Sequence, residues 1–376
     1  MPKKQKTLRD EFAELHLSSR KFDDKVCEIT MDGCGAFCTP EFCEAKKAGV
    51  CRGCTHCDFY NNCPEGGCST CSVRCGNRKD IDVWIKDVGG FSIDSVKCEN
   101  VFNGELPVFI PQIKDSCFGV EHGAYLISFT RFLRILDGDV KWLYRKKKTI
   151  REAYKIPDKT KLILHFFAKD DLLEVIWRFQ DKDWGGGKNI WQVFAEFGFD
   201  AVIPVNYSCF GNQPRMEHVL NVKRSILSAE SLSKVGIPVI MDLMWHSDVD
   251  FDRLLAWGLS RNVQWYSMNF QTLRKGNWAL PLIIELLEKV FMSNPNAKVI
   301  ANGISDEKRI KAIWSKFGDK VVVSNFSAFV KSAQTGLVYD EKCKKWVKTG
   351  QDKVECWKKT VDMYTRWGSK YGQKKD

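Results

Sequence analysis

From residue 106 onward, short apolar runs alternate with longer stretches in which apolar residues recur at helical spacing. The runs are LPVFIPQI (106–113), KLILHFFA (161–168), DAVIPVNYS (200–208), IPVIMDLMW (237–245), VQWYSMNFQ (263–271), AKVIANGI (297–304) and KVVVSNFSA (320–328). Rich in β-branched and aromatic residues, they read as buried strands. The stretches 119–135, 170–180, 188–197, 215–235, 248–257, 278–293 and 305–317 read as helices. Ser305-Asp306-Glu307 makes a good helix start, and Gly236 and Gly318 make good stops. This alternation predicts an α/β fold with parallel strands. Seven such units suggest a (β/α) barrel or an incomplete one, with an open doubly wound sheet as the alternative.

The pattern divides the chain into four parts. Residues 1–26 hold a basic amphipathic helix, with Leu8, Phe12 and Leu15 at helical spacing. Residues 27–105 are loop-rich and rich in cysteine. Residues 106–338 form the barrel-like domain, and 339–376 a basic, aromatic C-terminal segment. With 44% hydrophobic residues the chain can bury a sizeable core, which excludes a mainly disordered protein. A net charge of +11 favours a polyanionic partner, DNA before RNA. No apolar run is long enough to cross a membrane as a helix, and the N-terminus lacks the apolar stretch of a signal peptide.

Cysteine usage changes this picture most. Of 16 cysteines, 12 lie between Cys27 and Cys98. Without a signal peptide the expected compartment is the reducing cytoplasm, where clustered thiolates read as metal ligands rather than disulfides. Cys51, Cys54 and Cys57 form C-x2-C-x2-C with Cys63 following, Cys68, Cys71 and Cys75 form C-x2-C-x3-C, and Cys34, Cys38 and Cys43 form C-x3-C-x4-C. The triple at 51–57 suits an iron–sulfur cluster of the 4Fe–4S type. The paired C-x2-C motifs at 51–54 and 68–71 make zinc the alternative to that cluster. Free thiols are the bland alternative.

Candidate chemistry sits where strands end, because parallel α/β folds project reacting groups from the C-terminal ends of their strands. Those ends carry Asn206 and Tyr207, Asn269 and Gln271, Asn302, and Asn325, a set of amides suited to reading a polar ligand or to capping helices. Asp242, within an apolar run, is the candidate acid, base or nucleophile, with His246 as its acid–base partner. His165 reads as a core histidine or a site residue. Arg215, in the loop CFGNQPR, is a candidate anion ligand. Trp184-Gly-Gly-Gly-Lys188 offers amides to a phosphate or simply turns the chain. The basic run 145–148 is a solvated face or a grip on a nucleic-acid backbone. In 339–376, Trp346, Trp357, Tyr364, Trp367 and Tyr371 are interleaved with 10 Lys, a pattern for stacking on bases or for packing a terminal helix.

The stretch DAVIPVNYSCFGNQPRMEHVLNVKRSILSAESLSKVGIPVIMDLMW resembles an uncharacterised domain family of phages and bacteria over residues 195–305, departing from it at Asp242. The resemblance implies a phage or mobile-element setting and no activity. Asp87-Val-Gly-Gly-Phe-Ser is similar to a segment of the tRNA-guanine transglycosylases, zinc-bearing barrels that exchange bases. That likeness implies a nucleophilic role for Asp87. Together these readings give the leading expectation, a phage protein acting on nucleic acid or nucleotides, by base exchange or modification. The alternatives are a non-enzymatic, metal-stabilised nucleic-acid-binding protein and an iron–sulfur redox enzyme.

Overall fold

The computed structural model describes residues 87–372 except 91, 137–138, 145, 185, 210–214, 246–247 and 274–278. The ten candidate metal ligands Cys34, Cys38, Cys43, Cys51, Cys54, Cys57, Cys63, Cys68, Cys71 and Cys75 lie outside these residues, as does His246. The chain divides into two compact units. The larger comprises 97–134, 142–205 and 228–376, the smaller 1–96, 135–141 and 206–227.

The described strands and helices follow in chain order. They are β1 (Phe109–Ile113), β2 (Ala124–Ser128), β3 (Leu133–Leu136), β4 (Asp139–Trp142), α1 (Lys147–Tyr154), β5 (Lys161–Phe166), α2 (Asp170–Arg178), α3 (Ile190–Glu196), β6 (Ala201–Val205) and α4 (Arg215–Lys234). Then come β7 (Met241–Asp242), α5 (Asp248–Leu259), β8 (Trp265–Asn269), α6 (Ala279–Ser293), β9 (Lys298–Asn302), α7 (Glu307–Phe317), β10 (Val321–Asn325), α8 (Ser327–Phe329), β11 (Leu337–Asp340), β12 (Lys345–Lys348) and α9 (Lys353–Gly372).

Eight strands make one sheet in the order β6-β5-β2-β1-β10-β9-β8-β7, and its pairings are parallel. A parallel bridge between Val202 of β6 and Val239, just before β7, joins the two ends. Two hydrogen bonds carry it, Val202 N–H to Pro238 O and Ile240 N–H to Val202 O. The larger unit is therefore a parallel (β/α) barrel, as the alternating pattern predicts.

One element differs from the sequence reading. Residues 119–135, expected to be helical, contain strand β2, AYLIS, and a 3-10 turn at Phe129–Arg131. The run is short and nearly wholly buried, so it lacks the polar face that separates a helix from a strand. It supplies the eighth strand.

The barrel interior follows from side-chain alternation. Ile110, Leu126, Ile163, Ile203, Ile240, Trp265, Ile300 and Val322 form one buried cluster with Phe102, Ala124 and Ala201. Each strand or its immediate flank contributes to it, an arrangement that requires inward-facing positions of a closed ring. Phe102 meets Trp265 edge to face at 5.8 Å. The alternate positions face the helices. Phe109 stacks on Tyr364 at 4.2 Å, and Phe166 meets Phe194 at 5.4 Å. Gly368 of α9 lies so close to β1 that a Cβ there would fall 2.2 Å from Val108 Cγ2.

The C-terminal segment is spent on this packing. Trp357, Tyr364 and Trp367 are buried, and the Trp367 indole N–H donates to Glu341 at 2.6 Å. These rings are not free to stack on bases. Arg151, three residues after the basic run, donates to the carbonyls of Pro157 and Thr160 and pairs with Asp200. The glycine-rich turn at 184–188 is closed by its own chain: Trp184 N–H donates to Lys188 O, and Gly187 N–H to the Asp183 carboxylate. No helix among the described residues is long and apolar enough to cross a membrane.

Candidate ligand-binding site at the barrel mouth

Two residues beyond the apolar layer, the inward position of nearly every strand turns polar. Ile110 is followed by Gln112, Leu126 by Ser128, Ile163 by His165, Ile240 by Asp242, Trp265 by Ser267, Ile300 by Asn302 and Val322 by Ser324. Strand β6 alone keeps Val205 at that level. Register confirms a shared facing: Ser128 pairs with His165, Asp242 with Ser267, and Ser324 with Asn302. The sheet thus builds an apolar floor and a polar layer above it at its C-terminal end.

Part of this layer is internally bonded and part is not. The Asn302 amide donates to Ser267 Oγ at 2.8 Å. Gln112 Nε2, Asn302 Oδ1 and Ser324 Oγ are buried without a hydrogen-bond partner. A buried, unsatisfied polar atom costs about 1–3 kcal/mol, so such a set on three adjacent strands marks a place prepared for a ligand or water.

A cavity of about 650 Å³ opens above, lined among others by Gln112, Ser128, His165, Gln271 and Asn325. Its rim carries Arg131, Arg309 and Lys331, with Asp306 the one carboxylate among its described lining residues. Asp306 caps α7, accepting the Arg309 backbone N–H at 3.0 Å. Arg309 also donates a guanidinium N–H to the Leu273 carbonyl. Lys331 sits on a π-helical turn, Val330–Gln334, and burial pulls its ammonium below the usual lysine range. Gly303 has φ +85°, and a Cβ there would lie 2.7 Å from the Gln271 backbone nitrogen, so the loop after β9 can pass Gln271 only as glycine.

His165 is the histidine of this wall. Burial pushes its pKa down to about 3, so the ring is neutral. Phe167 N–H donates to His165 Nδ1 at 3.3 Å, which assigns the ring proton to Nε2. A neutral imidazole of this kind donates a hydrogen bond without carrying charge.

The sequence-derived candidates separate into groups. Asn302 and Asp242 belong to the polar layer, both nearly fully buried. Gln271 and Asn325 line the cavity. Asn325 also caps the following turn: its Oδ1 accepts the Ala328 N–H at 2.9 Å and its amide donates to Ile304 O. Asn269 Oδ1 accepts the Gln271 N–H at 3.1 Å. Asn206, Tyr207 and Asp87 belong to the smaller unit, where Asp87 is exposed. Tyr207 is buried there beneath the Arg224 guanidinium, 3.8 Å from the ring centroid. Arg215 opens α4.

Sequence reasoning passed over Gln112, Ser128, Ser267, Ser324, Arg131 and Lys331. For the strand residues a signal was present, a polar side chain two positions after an inward apolar one. Arg131 and Lys331 lie beyond strand ends, in segments whose paths only the fold fixes.

The larger unit thus defines the chain as a parallel (β/α) barrel with a small-molecule-sized polar mouth. No family model matches the chain, and no curated protein matches it. Solved structures similar to it include a point mutant of flavocytochrome B2 (TM-score 0.38, 12% identity, 73% of this chain and 68% of that one). A sulfite-bound double mutant of flavocytochrome b2 gives a TM-score of 0.38 at 12% identity over 74% and 69%. The recombinant flavin-binding domain of baker's yeast flavocytochrome b2 gives 0.35 at 12% over 74% and 68%. The barrel assignment rests on the strand topology of this chain and not on those likenesses.

Two expectations are corrected at this point. The nucleic-acid reading, with its base-exchange version, is replaced: of the C-terminal rings meant to stack on bases, Trp357, Tyr364 and Trp367 are buried in the packing of α9. The iron–sulfur or zinc cofactor is also withdrawn. The ten cysteines meant to hold it lie outside the described residues, and among the described residues no group of three or more His, Cys, Asp or Glu is placed to hold a metal.

Proposed function

We propose that the barrel mouth binds a phosphate-bearing small molecule and that the chain is an enzyme acting on it. The observation that carries this reading is the polar layer itself, with its unpartnered Gln112 amide, opening into a cavity rimmed by Arg131, Arg309 and Lys331. Among the described residues lining the cavity, three cations stand against one helix-capping carboxylate, a balance that favours an anion. In parallel barrels the loops after the last two strands commonly hold phosphate. Here those loops bring Gly303, Ser305, Ser327 and Lys331 to the cavity. His165 supplies an uncharged donor to an oxygen of the substrate, a role that needs the imidazole kept neutral. Asp242, inward-facing on β7, is the carboxylate of the same layer and the natural proton acceptor. Flavin mononucleotide, a phosphate-bearing flavin, is one member of this ligand class.

The test is thermal unfolding with inorganic phosphate and, separately, flavin mononucleotide. A ligand at about 100 times its Kd stabilises by about 2.7 kcal/mol, enough to raise Tm measurably. The rise is expected in the natural protein and, at the same ligand concentration, about half as large in Arg131→Ala and in Lys331→Ala. No rise with either ligand would overturn the reading.

A further inference from the structure

Beside the mouth lies a second cavity of about 680 Å³, and Ser305, Asp306 and Lys331 line both. Its acids are already engaged. Burial opposes ionisation of Glu307, but hydrogen bonds from Lys311 and from Tyr339 Oη outweigh it and hold the carboxyl below the usual range. Asp306 caps α7. Among the described residues, the remaining lining cations Lys308, Lys331 and Lys344 have no carboxylate within ion-pair distance.

Two local structures place Lys331 and Lys344 beside this cavity. Lys331 leaves the π-helical turn and lies over the Trp346 ring, 4.7 Å from its centroid. The ring face steadies the cation without neutralising it. Lys344 occupies the turn between β11 and β12 at φ +53°. The Asp340 carboxylate accepts the N–H groups of Lys342 and Cys343 and so shapes that turn. A left-handed conformation at a lysine costs free energy and persists only where surrounding bonds impose it.

We infer that the two cavities form one site for a diphosphate: one phosphoryl group at the mouth, the second between Lys308 and Lys344, with the Lys331 ammonium between them. This rests on the reading that the mouth takes phosphate. Linked anions gain because the second group binds without a second loss of free translation.

Calorimetric titration of the whole protein with inorganic phosphate and with inorganic pyrophosphate at fixed ionic strength tests it. Pyrophosphate is expected to bind about tenfold more tightly or better, a difference of about 1.4 kcal/mol. In the double variant Lys308→Ala/Lys344→Ala that advantage is expected to vanish while phosphate affinity stays unchanged. Phosphate binding with no preference for pyrophosphate would overturn the diphosphate site and leave the mouth reading standing. Equal weakening of both ligands in the double variant would overturn it too, since the lysines would then act only as a general field. Binding of neither ligand would remove both readings.

Discussion

The two interior layers of the barrel come from the same strands, two residues apart, and obey opposite rules. The lower layer, Ile110, Leu126, Ile163, Ile203, Ile240, Trp265, Ile300 and Val322, is apolar and close-packed. The upper layer, Gln112, Ser128, His165, Asp242, Ser267, Asn302 and Ser324, is polar, and three of its atoms have no partner. The lower layer stabilises the fold by removing apolar surface from water. The upper layer gives up part of that gain to keep hydrogen-bonding groups ready. Barrels of this type place stability at one level and chemistry at the next.

Breaking the lower layer has the largest expected effect. Trp265→Ala leaves a large void beneath the mouth and should cost about 3–5 kcal/mol, read by chemical denaturation. A loss below about 1 kcal/mol would show that the layer is not packed as described.

Acid comes next. The folded pKa of His165, about 3, lies below the unfolded value of 6.5, so the unfolded chain takes up the proton first. The stability linked to the neutral ring is fully present above pH 6.5 and is lost as pH falls toward about 3. The slope is about 1.4 kcal/mol per pH unit. Between pH 6.5 and 5 this amounts to roughly 2 kcal/mol. His165→Gln should flatten that part of the stability–pH curve; an unchanged slope would place the ring in contact with water.

Ligand binding sharpens the comparison from the other side. Lys331→Ala should weaken phosphate binding about tenfold while leaving the stability of the unliganded protein within about 0.5 kcal/mol. A large loss of stability would make Lys331 a structural residue.

The smallest effect is the most diagnostic. Ser324→Ala removes a buried hydroxyl that has no partner. It should leave Tm unchanged or raise it, by up to about 1 kcal/mol of stability. Ile300→Ala, on the neighbouring strand one layer below, should cost about 2–5 kcal/mol. Similar losses from both would erase the distinction between the layers.

Much of the barrel was legible in the chain. Runs such as KLILHFFA and KVVVSNFSA are too apolar and too β-branched for a surface element, and the stretches between them carry helical spacing. The exception was AYLIS, where a short, nearly wholly buried run has no period to read. The site was legible in fragments. Asn302, Asp242, Gln271 and Asn325 stood out as polar residues at strand ends. Yet Asn325 spends its amide on a cap, and Asn269 accepts from its neighbour's backbone. A strand-end amide looks the same in sequence whichever partner it finds.

Sequence alone determined the class of fold and the polar ends of its strands, because periodicity and side-chain chemistry are local properties of a chain. Tertiary structure decided the rest. Closure through Val202 and Val239 turned strand ends into a ring, and strand parity chose Ser324 over Asn325 for its interior. A π-turn and a hairpin brought Lys331 and Lys344 beside a strand end that they do not adjoin in sequence. Those outcomes depend on contacts between residues far apart in the chain, and no local pattern encodes them.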